Sequence, residues 1–469
     1  MSGNSGRISH RYTEGNATAA GWVGRRLHFI GIGGAGMSGL ALVCARLGAT
    51  VTGSDRSDSS YMERLRRAGL DPAVGHDSAN LPEGAEVVVS TAIGDDNPEL
   101  ALARERGVKP IHRGALLAQL CAEKRLIAVA GTHGKTTTTA MAVWALRAIG
   151  ADPAFFVGGE VPGVGAAGEA ANAGWGEGEW IVAEADESDA SFLELRPEIA
   201  VVTNVEMDHH TRWGSLGELT AAFARFLGAA AAVVLPWTAA LPLGRIRDFE
   251  GPEDILYGKA AKTKQVVRFG LDTPGPAELK LEVLGDHNLL NARAALAAIG
   301  LAGLDVEAAA AALADFPGVR RRLEYKGRFG GSRVYDDYAH HPTEVRAALE
   351  ALRAERPATL IAVFQPHLYS RTKALAEEFG AALALADEVI VLDIYAARQQ
   401  PVGELAGVTG KLVADAVADR IGGRLVWWTP TAAKALDAIR LSAGGKNQIV
   451  VTIGAGDVFE LGETLVEAP

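Results

Sequence analysis

Lys135 and Thr136 follow Gly131 and Gly134 in LIAVAGTHGKTTTTAMAVWAL. A lysine and a hydroxyl closing a glycine-framed turn are the residue types that hold a nucleotide's phosphates. Lys135 can place a point charge at the β and γ phosphates, and the Thr136 hydroxyl can ligate Mg²⁺. Backbone N–H groups along Gly131, Thr132, His133, Gly134 and Thr137 can cradle the remaining oxygens. Val129 stands where the general G-x-x-x-x-G-K-[ST] pattern has its first glycine, so the match is G-x-x-G-K-T-T. A magnesium shell needs further ligands from neighbouring strands. Glu184 ends WIVAEAD and His209 lies in TNVEMDHH, with Asp186, Glu187, Asp189 and Asp208 close by. Any one of these acids is equally a solvated loop residue or a helix cap. Several of them and a histidine at successive strand ends, after one phosphate loop, point to a metal-nucleotide site.

A second glycine turn precedes the first in the chain. Gly31, Gly33 and Gly36 form G-x-G-x-x-G in GIGGAG, with Gly34 inside it, between the apolar strand RLHFIGIG and the helical stretch SGLALVCARLG. Asp55 ends the next strand, TVTGSD. The turn opens a helix whose first N–H groups can meet a phosphate, but it does not distinguish NAD from another diphosphate such as a UDP-sugar. Further on, Asp336, Asp337, Tyr338, His340 and His341 crowd a strand-to-helix turn with Pro342 placed as first helical residue. Adjacent histidines are ordinarily surface or packing residues, and zinc would need spaced ligands. Arg320, Arg321 and Arg322 form a triple-arginine cluster that, at a domain junction, can reach phosphate as domains close.

The elements that must position these residues alternate. Apolar runs of strand length are followed by longer amphipathic Ala- and Leu-rich segments, the signature of repeated βα units and parallel sheets, so the fold class is α/β. The units fall into three groups: 23–125, 126–322 and 323–469, with 1–22 expected as a mobile Gly/Ser/Asn/Thr-rich tail lacking the apolar core of a signal peptide. The uncharged stretch Phe226–Gly244 contains Pro236 and Pro242 and is expected as a helix end, a strand and a loop, not a membrane span.

At 469 residues the chain has room for about three domains of roughly 150 residues each. A net charge of -11 opposes binding to nucleic acid or insertion at an anionic membrane, so any anionic ligand must be attracted locally by cations, N–H groups or a metal. Only Cys44 and Cys121 occur, which leaves no disulfide framework and fits a reducing cytoplasm. Glycine is in excess, 55 residues where about 7% of the chain would be usual, and no G-X-Y period accounts for it.

Taken together, HFIGIGGAGMSGLA, GTHGKTTTT, EADESDASF, TNVEMDH, DHNLLNARAA, FPGVRRRLE, DDYAHHPTEV, FQPHLYSRT, ADEVIVLDIY and GAGDV resemble, in order, the signatures of the Mur ligase family over essentially everything after the tail. The resemblance implies an N-terminal Rossmann-like domain for the UDP-sugar, a central P-loop ATPase-like domain, and a C-terminal Rossmann-like domain for the incoming amino acid. It implies ATP-dependent ligation of L-alanine to the carboxylate of UDP-N-acetylmuramate through an acyl phosphate, in peptidoglycan precursor synthesis in the cytoplasm. ATP would be co-substrate and Mg²⁺ the cofactor, with no obligatory protein partner. By motif, Lys135 would contact the ATP phosphates, and Thr136, Glu184 and His209 would surround magnesium, with Glu187 as rival to Glu184. Asn288, Asn291, Arg322 and Asp337 would lie on the nucleotide side, while Tyr338, His341 and Arg371 would face the alanine. Gly31, Gly33, Gly34, Gly36 and Asp55 would hold the sugar nucleotide.

Related ligases that add later amino acids use a carbamylated lysine in the central domain, and no lysine occurs here between Lys135 and Lys259. Leu368 and Lys373 stand where the resemblance leads one to expect arginines, and His210 replaces a usual methionine after His209. The nearest competing activity is attachment of a tripeptide to the same sugar nucleotide. Folylpolyglutamate synthetases share the phosphate loop and lack the N-terminal glycine-loop domain. A nicotinamide-dependent dehydrogenase would explain the first glycine turn alone, and a nucleotide-switch binding protein the second alone.

Overall fold

A computed structural model describes residues 21–165, 167–208, 212–236, 265–272, 279–397 and 399–467. Most of the expected tail, His209 and His210, and the part of the uncharged stretch from Trp237 onward lie outside the described residues. The chain divides into two compact units, 1–123 and 124–469.

The first unit is built on five parallel strands, β1 (Arg26–Ile30), β2 (Thr50–Asp55), β3 (Ala73–Val74), β4 (Glu86–Val89) and β5 (Ile111–His112), in the order β3-β2-β1-β4-β5. The order reverses beside β1, and such a switch point opens a crevice at the strands' C-terminal ends. GIGGAG occupies that end of β1 and leads into the helix Ala35–Arg46.

The second unit holds two sheets. One contains β6 (Arg125–Ala130), β7 (Ala154–Val161), β8 (Ala171–Gly174), β9 (Trp180–Glu184), β10 (Ile199–Val202), β11 (Ala232–Pro236) and β12 (Gln265–Phe269), ordered β12-β11-β10-β6-β9-β7-β8. The other contains β13 (Glu324–Phe329), β14 (Ser332–Asp337), β15 (Thr359–Phe364), β16 (Glu388–Val391), β17 (Val426–Trp428) and β18 (Gln448–Ile453), ordered β13-β14-β18-β15-β16-β17. Central strands such as β6, β10, β15 and β18 are almost wholly buried, as parallel strands covered on both faces must be, and this is why they read as unbroken apolar runs.

Two pairs depart from the all-parallel expectation: β7 with β8, and β13 with β14, both at sheet edges. A parallel neighbour needs a crossover of a dozen or so residues, whereas β13 and β14 are joined only by Gly330 and Gly331. Gly330 has φ +56°, the backbone that such a tight hairpin requires.

Register places the functional turns. Val129 of β6 pairs with Glu184 of β9, and Ala130 pairs with Val202 of β10, so Glu184, the phosphate loop and Thr203–Asn204 emerge side by side. Asp337 pairs with Ile453 at the same end of the third sheet.

Candidate functional site

The helix Lys135–Ala148 starts from Gly134, whose φ of +78° is left-handed, and Gly131 has φ +134°. Space forbids side chains here as firmly as conformation does. A Cβ at Gly131 would lie 2.0 Å from Thr203 Oγ1, and one at Gly134 2.5 Å from Asn291 Oδ1. The loop is laced to the end of β10: His133 N–H donates to Asn204 Oδ1 (2.8 Å), and the His133 carbonyl accepts from Asn204 Nδ2 (2.9 Å).

Lys135 Nζ folds back over the loop, donating to the Gly131 carbonyl (2.6 Å) and to Glu187, whose carboxylate oxygen lies 2.9 Å away. Burial alone would lower its pKa, but Glu187, Asp186 and Glu184 outweigh burial and raise it to about 12, so the ammonium is charged. Glu184 is engaged elsewhere, accepting from Thr136 Oγ1 (3.2 Å) and from Gly158 N–H (2.7 Å). Its carboxyl pKa is raised, chiefly by burial. The two glutamates therefore have separate contacts, Glu187 with the lysine and Glu184 with the threonine.

Asn291 lies against the other side of the loop, accepting from Thr138 Oγ1 (3.2 Å) and donating to Asn288 Oδ1 (3.2 Å). Both asparagines sit on the helix Asp286–Leu301, three residues apart, so one face carries both. A cleft with about 900 Å³ of empty space open to solvent runs between the second and third sheets. His133, Gly134, Thr136, Thr137, Asn288, Asn291, Arg322 and Asp337 all line it, with Phe269 and Leu290 providing apolar wall.

The third sheet's contribution comes from the turn after β14. Asp337 accepts from the Leu323 and Ala339 N–H groups (2.7 Å each), yet burial pushes its pKa up to about 6. His341 caps the helix Pro342–Ala354, accepting from Thr343 N–H, and its ring lies 4.8 Å from that of His133. The three arginines diverge. Arg320 goes to Glu160 and Glu324, and Arg321 to Asp336 and the carbonyls of Gly454 and Gly456. Arg322 faces the cleft, with Tyr338 beneath it. Arg371 is 7% exposed and its guanidinium meets Asp208 at 2.9 Å, an ion pair between the second and third sheets.

Glu206, Thr343 and Glu344 enter the site without having been anticipated. His133 lies between the carboxylates of Glu206 and Glu344, at 3.2 Å from each, and Thr343 Oγ1 donates to Glu206 (2.8 Å). Burial would lower the His133 pKa, but Glu344 and Glu206 prevail and raise it to about 9. Donor atoms of His133, Glu206 and His341 lie within 4.8 Å of one another, a spacing compatible with a cation. The flanking carboxylates instead favour the protonated His133 ring, which has no lone pair to offer a metal.

In the first unit Gly31 has φ +82°, and the Gly31 and Ile32 N–H groups donate to the Ser54 carbonyl (2.8 and 3.0 Å). Gly33 N–H donates to Asp55 Oδ2 (2.9 Å). Gly34 is the N-cap of the helix Ala35–Arg46, and Gly36 lies near the Arg113 guanidinium. Beneath the turn, fully buried Glu99 accepts from His28 (3.1 Å), Ser54 Oγ (2.6 Å), Asn80 Nδ2 (2.9 Å) and Asp77 N–H (3.1 Å).

Comparison with known proteins decides the family. The Mur ligase family catalytic domain matches residues 26–125, the Mur ligase middle domain 129–299, and the Mur ligase glutamate ligase domain 321–456. The UDP-N-acetylmuramate--L-alanine ligase of Renibacterium salmoninarum is 44% identical over 460 residues, covering 94% of this chain and 96% of its own. The chain belongs to the Mur ligase family. The crystal structure of the UDP-N-acetylmuramate-alanine ligase from Thermotoga maritima superposes with a TM-score of 0.75 at 29% identity, covering 94% of this chain and 98% of that one. A murein peptide ligase from Psychrobacter arcticus shares the fold, with a TM-score of 0.67 at 24% identity and coverage of 94% and 98%. Among the described residues no helix is long and apolar enough to cross a membrane.

Proposed function

We propose that this chain ligates L-alanine to the carboxylate of UDP-N-acetylmuramate, converting ATP to ADP and phosphate, in the cytoplasmic synthesis of peptidoglycan precursors. One observation carries the reading: a phosphate loop, two asparagines, Arg322 and Asp337 line a single cleft, in a chain that spans nearly all of an alanine-adding ligase. Three segments of the chain divide the work in this reading, with 23–125 holding the sugar nucleotide, 126–322 the ATP and 323–469 the amino acid.

A carboxylate at neutral pH is anionic and offers an amine no leaving group, so it must be activated. Transfer of the ATP γ-phosphoryl group to the carboxylate gives an acyl phosphate. The alanine amine attacks its carbonyl carbon, and the tetrahedral intermediate collapses to the amide as phosphate leaves. Bringing two anions together requires local positive charge and fixed geometry. Lys135 provides charge at the β and γ phosphates, exchanging Glu187 for phosphate oxygen. Arg322 provides more from the third sheet's side. Asn288 and Asn291 hold the nucleotide against the loop, and Asp337 accepts a hydrogen bond from its ribose. Tyr338, His341 and Arg371 serve the alanine side.

A hard cation prefers oxygen ligands, and Thr136 Oγ1 and Glu184 Oε1 stand 3.2 Å apart at the loop's end in a half-buried setting where a carboxylate gains from added positive charge. Those two residues, with His209, would hold Mg²⁺, which when bound offsets the charge of the phosphates.

The test is phosphate release from ATP, expected only with magnesium, UDP-N-acetylmuramate and L-alanine all present. Folded protein that ignores alanine and couples a tripeptide to the same sugar nucleotide would overturn the assignment. Trapping the activated carboxylate with hydroxylamine as an acyl hydroxamate checks the intermediate separately.

A further inference from the structure

The His133 side chain points away from the phosphate loop, toward the third sheet's domain. Its backbone is already fixed to Asn204, while its two ring nitrogens address carboxylates from different sheets, Glu206 after β10 and Glu344 in the first turn of Pro342–Ala354. A protonated imidazole donates from both nitrogens, so one ring joins the two domains. Thr343 adds a second link by donating to the same Glu206 oxygen that His133 approaches.

Glu344 has more neighbours than a capping residue needs. Its Oε1 lies 3.2 Å from His133 Nδ1 and 3.9 Å from Arg322 Nη1, and its Oε2 accepts from His340 N–H (3.1 Å). Burial would raise its pKa, but His340, His133 and Arg322 hold the carboxyl well below the ordinary glutamate range. Two cations thus share one carboxylate oxygen: one belongs to the phosphate loop and the other lines the nucleotide cleft. Without that carboxylate they would repel each other across the domain boundary.

We propose that Glu344 is a positioning residue that docks the third-sheet domain onto the phosphate loop through His133 and thereby aims Arg322 into the nucleotide cleft. Glu344 itself borders the cleft, but as a carboxylate it acts through the two cations it holds and does not itself hold the phosphates. The proposal rests on ATP occupying this cleft and is independent of which amino acid is added.

Calorimetric binding of a non-hydrolysable ATP analogue with magnesium to the full chain tests it, on wild type, Glu344→Gln, His133→Asn, the double variant and Thr343→Val. Glu344→Gln keeps the side chain's shape and is expected to weaken binding at least tenfold. Once the relay is broken a second break costs little, so the double variant should bind no more than about twofold worse than the weaker single variant. Thr343→Val, which removes one hydrogen bond and keeps the helix cap, is expected to lose about fivefold and stands in if Glu344→Gln does not fold. In turnover, Glu344→Gln should raise KM for ATP with KM for the sugar nucleotide unchanged. Wild-type affinity in Glu344→Gln, or losses in the single variants that simply multiply, would overturn the proposal. Wild-type protein that binds no nucleotide would instead overturn the functional reading beneath it.

Discussion

The two glycine turns differ in what surrounds them. At Gly131–Gly134 the loop is followed by a charged lysine, a threonine hydroxyl and a buried carboxylate, and its glycines are enforced by contact with Thr203 and Asn291. At Gly31–Gly36 no lysine follows, the Gly33 N–H is taken by Asp55, and the turn hangs from the Ser54 carbonyl, whose side chain is tied to Glu99. One turn sets a single lysine among carboxylates, the pairing of cation and acids proposed above for the terminal phosphates and a metal. The other presents an acid and a helix N-terminus, a setting for holding a diphosphate and hydroxyl-bearing sugar without reacting on them. Glycine spacing reports a turn; the neighbouring charges report its ligand.

The sharpest way to break this contrast is Lys135→Ala. Loss of the cation is expected to lower the ligation rate on the order of 10²- to 10³-fold or more. Sugar-nucleotide binding to the protein should stay within about twofold, measured by calorimetry. Turnover near wild type would remove the catalytic half of the contrast. Gly131→Ala comes next. Its Cβ would meet Thr203 Oγ1 at 2.0 Å and backbone nitrogens of Thr203 and Asn204 at 3.0 and 3.1 Å, in a left-handed conformation. The loop must shift, and nucleotide affinity should fall about a hundredfold.

The third variant, Glu99→Gln, tests the support under the other turn. An amide cannot accept all four hydrogen bonds that the carboxylate accepts, so the first unit should lose about 1–3 kcal/mol of stability in denaturant unfolding. The expected rise in sugar-nucleotide KM is about tenfold, with ATP KM unmoved. The pH dependence has a definite sign. Burial would raise the Glu99 pKa, but hydrogen bonds from His28, Ser54 and Asn80 prevail and lower it from 4.5 to about 2. A depressed carboxyl contributes stability that is complete above pH 4.5 and is lost as pH falls toward 2. Wild type should show that acid loss and Glu99→Gln should lack it.

These contrasts also show what the sequence carries. The βα alternation, the phosphate loop and the Asn288–Asn291 face are local patterns, and the structure brings the last two into one cleft. The antiparallel edges escaped because a short strand reads alike in either direction until its connection is known. Glu206 and Glu344 escaped for a different reason. They meet a histidine 73 residues from the first, across two sheets, and in sequence each is an ordinary acid beside a turn. TNVE and HPTE held a faint signal, an acid immediately after a strand and an acid in a helix's first turn. Arg371, proposed above for the alanine side, is held by a buried pairing with Asp208 that has no sequence signature at all.

The smallest effect is expected at Gly34, and it sharpens the comparison most. Unlike Gly131, Gly34 has φ −74° and ψ 147°, a backbone any residue adopts, and an added Cβ would meet only the Gly31 carbonyl at 3.6 Å. Gly34→Ala should therefore fold with a stability change within about 0.5 kcal/mol. If the glycine is there so that a diphosphate can approach the backbone, the added methyl will be felt only by the ligand, as a loss of about fivefold in sugar-nucleotide affinity with ATP affinity unaltered. Stability and affinity both unchanged would mean that the ligand keeps its distance from Gly34, and the first turn would then serve the packing of strand on helix instead of phosphate contact.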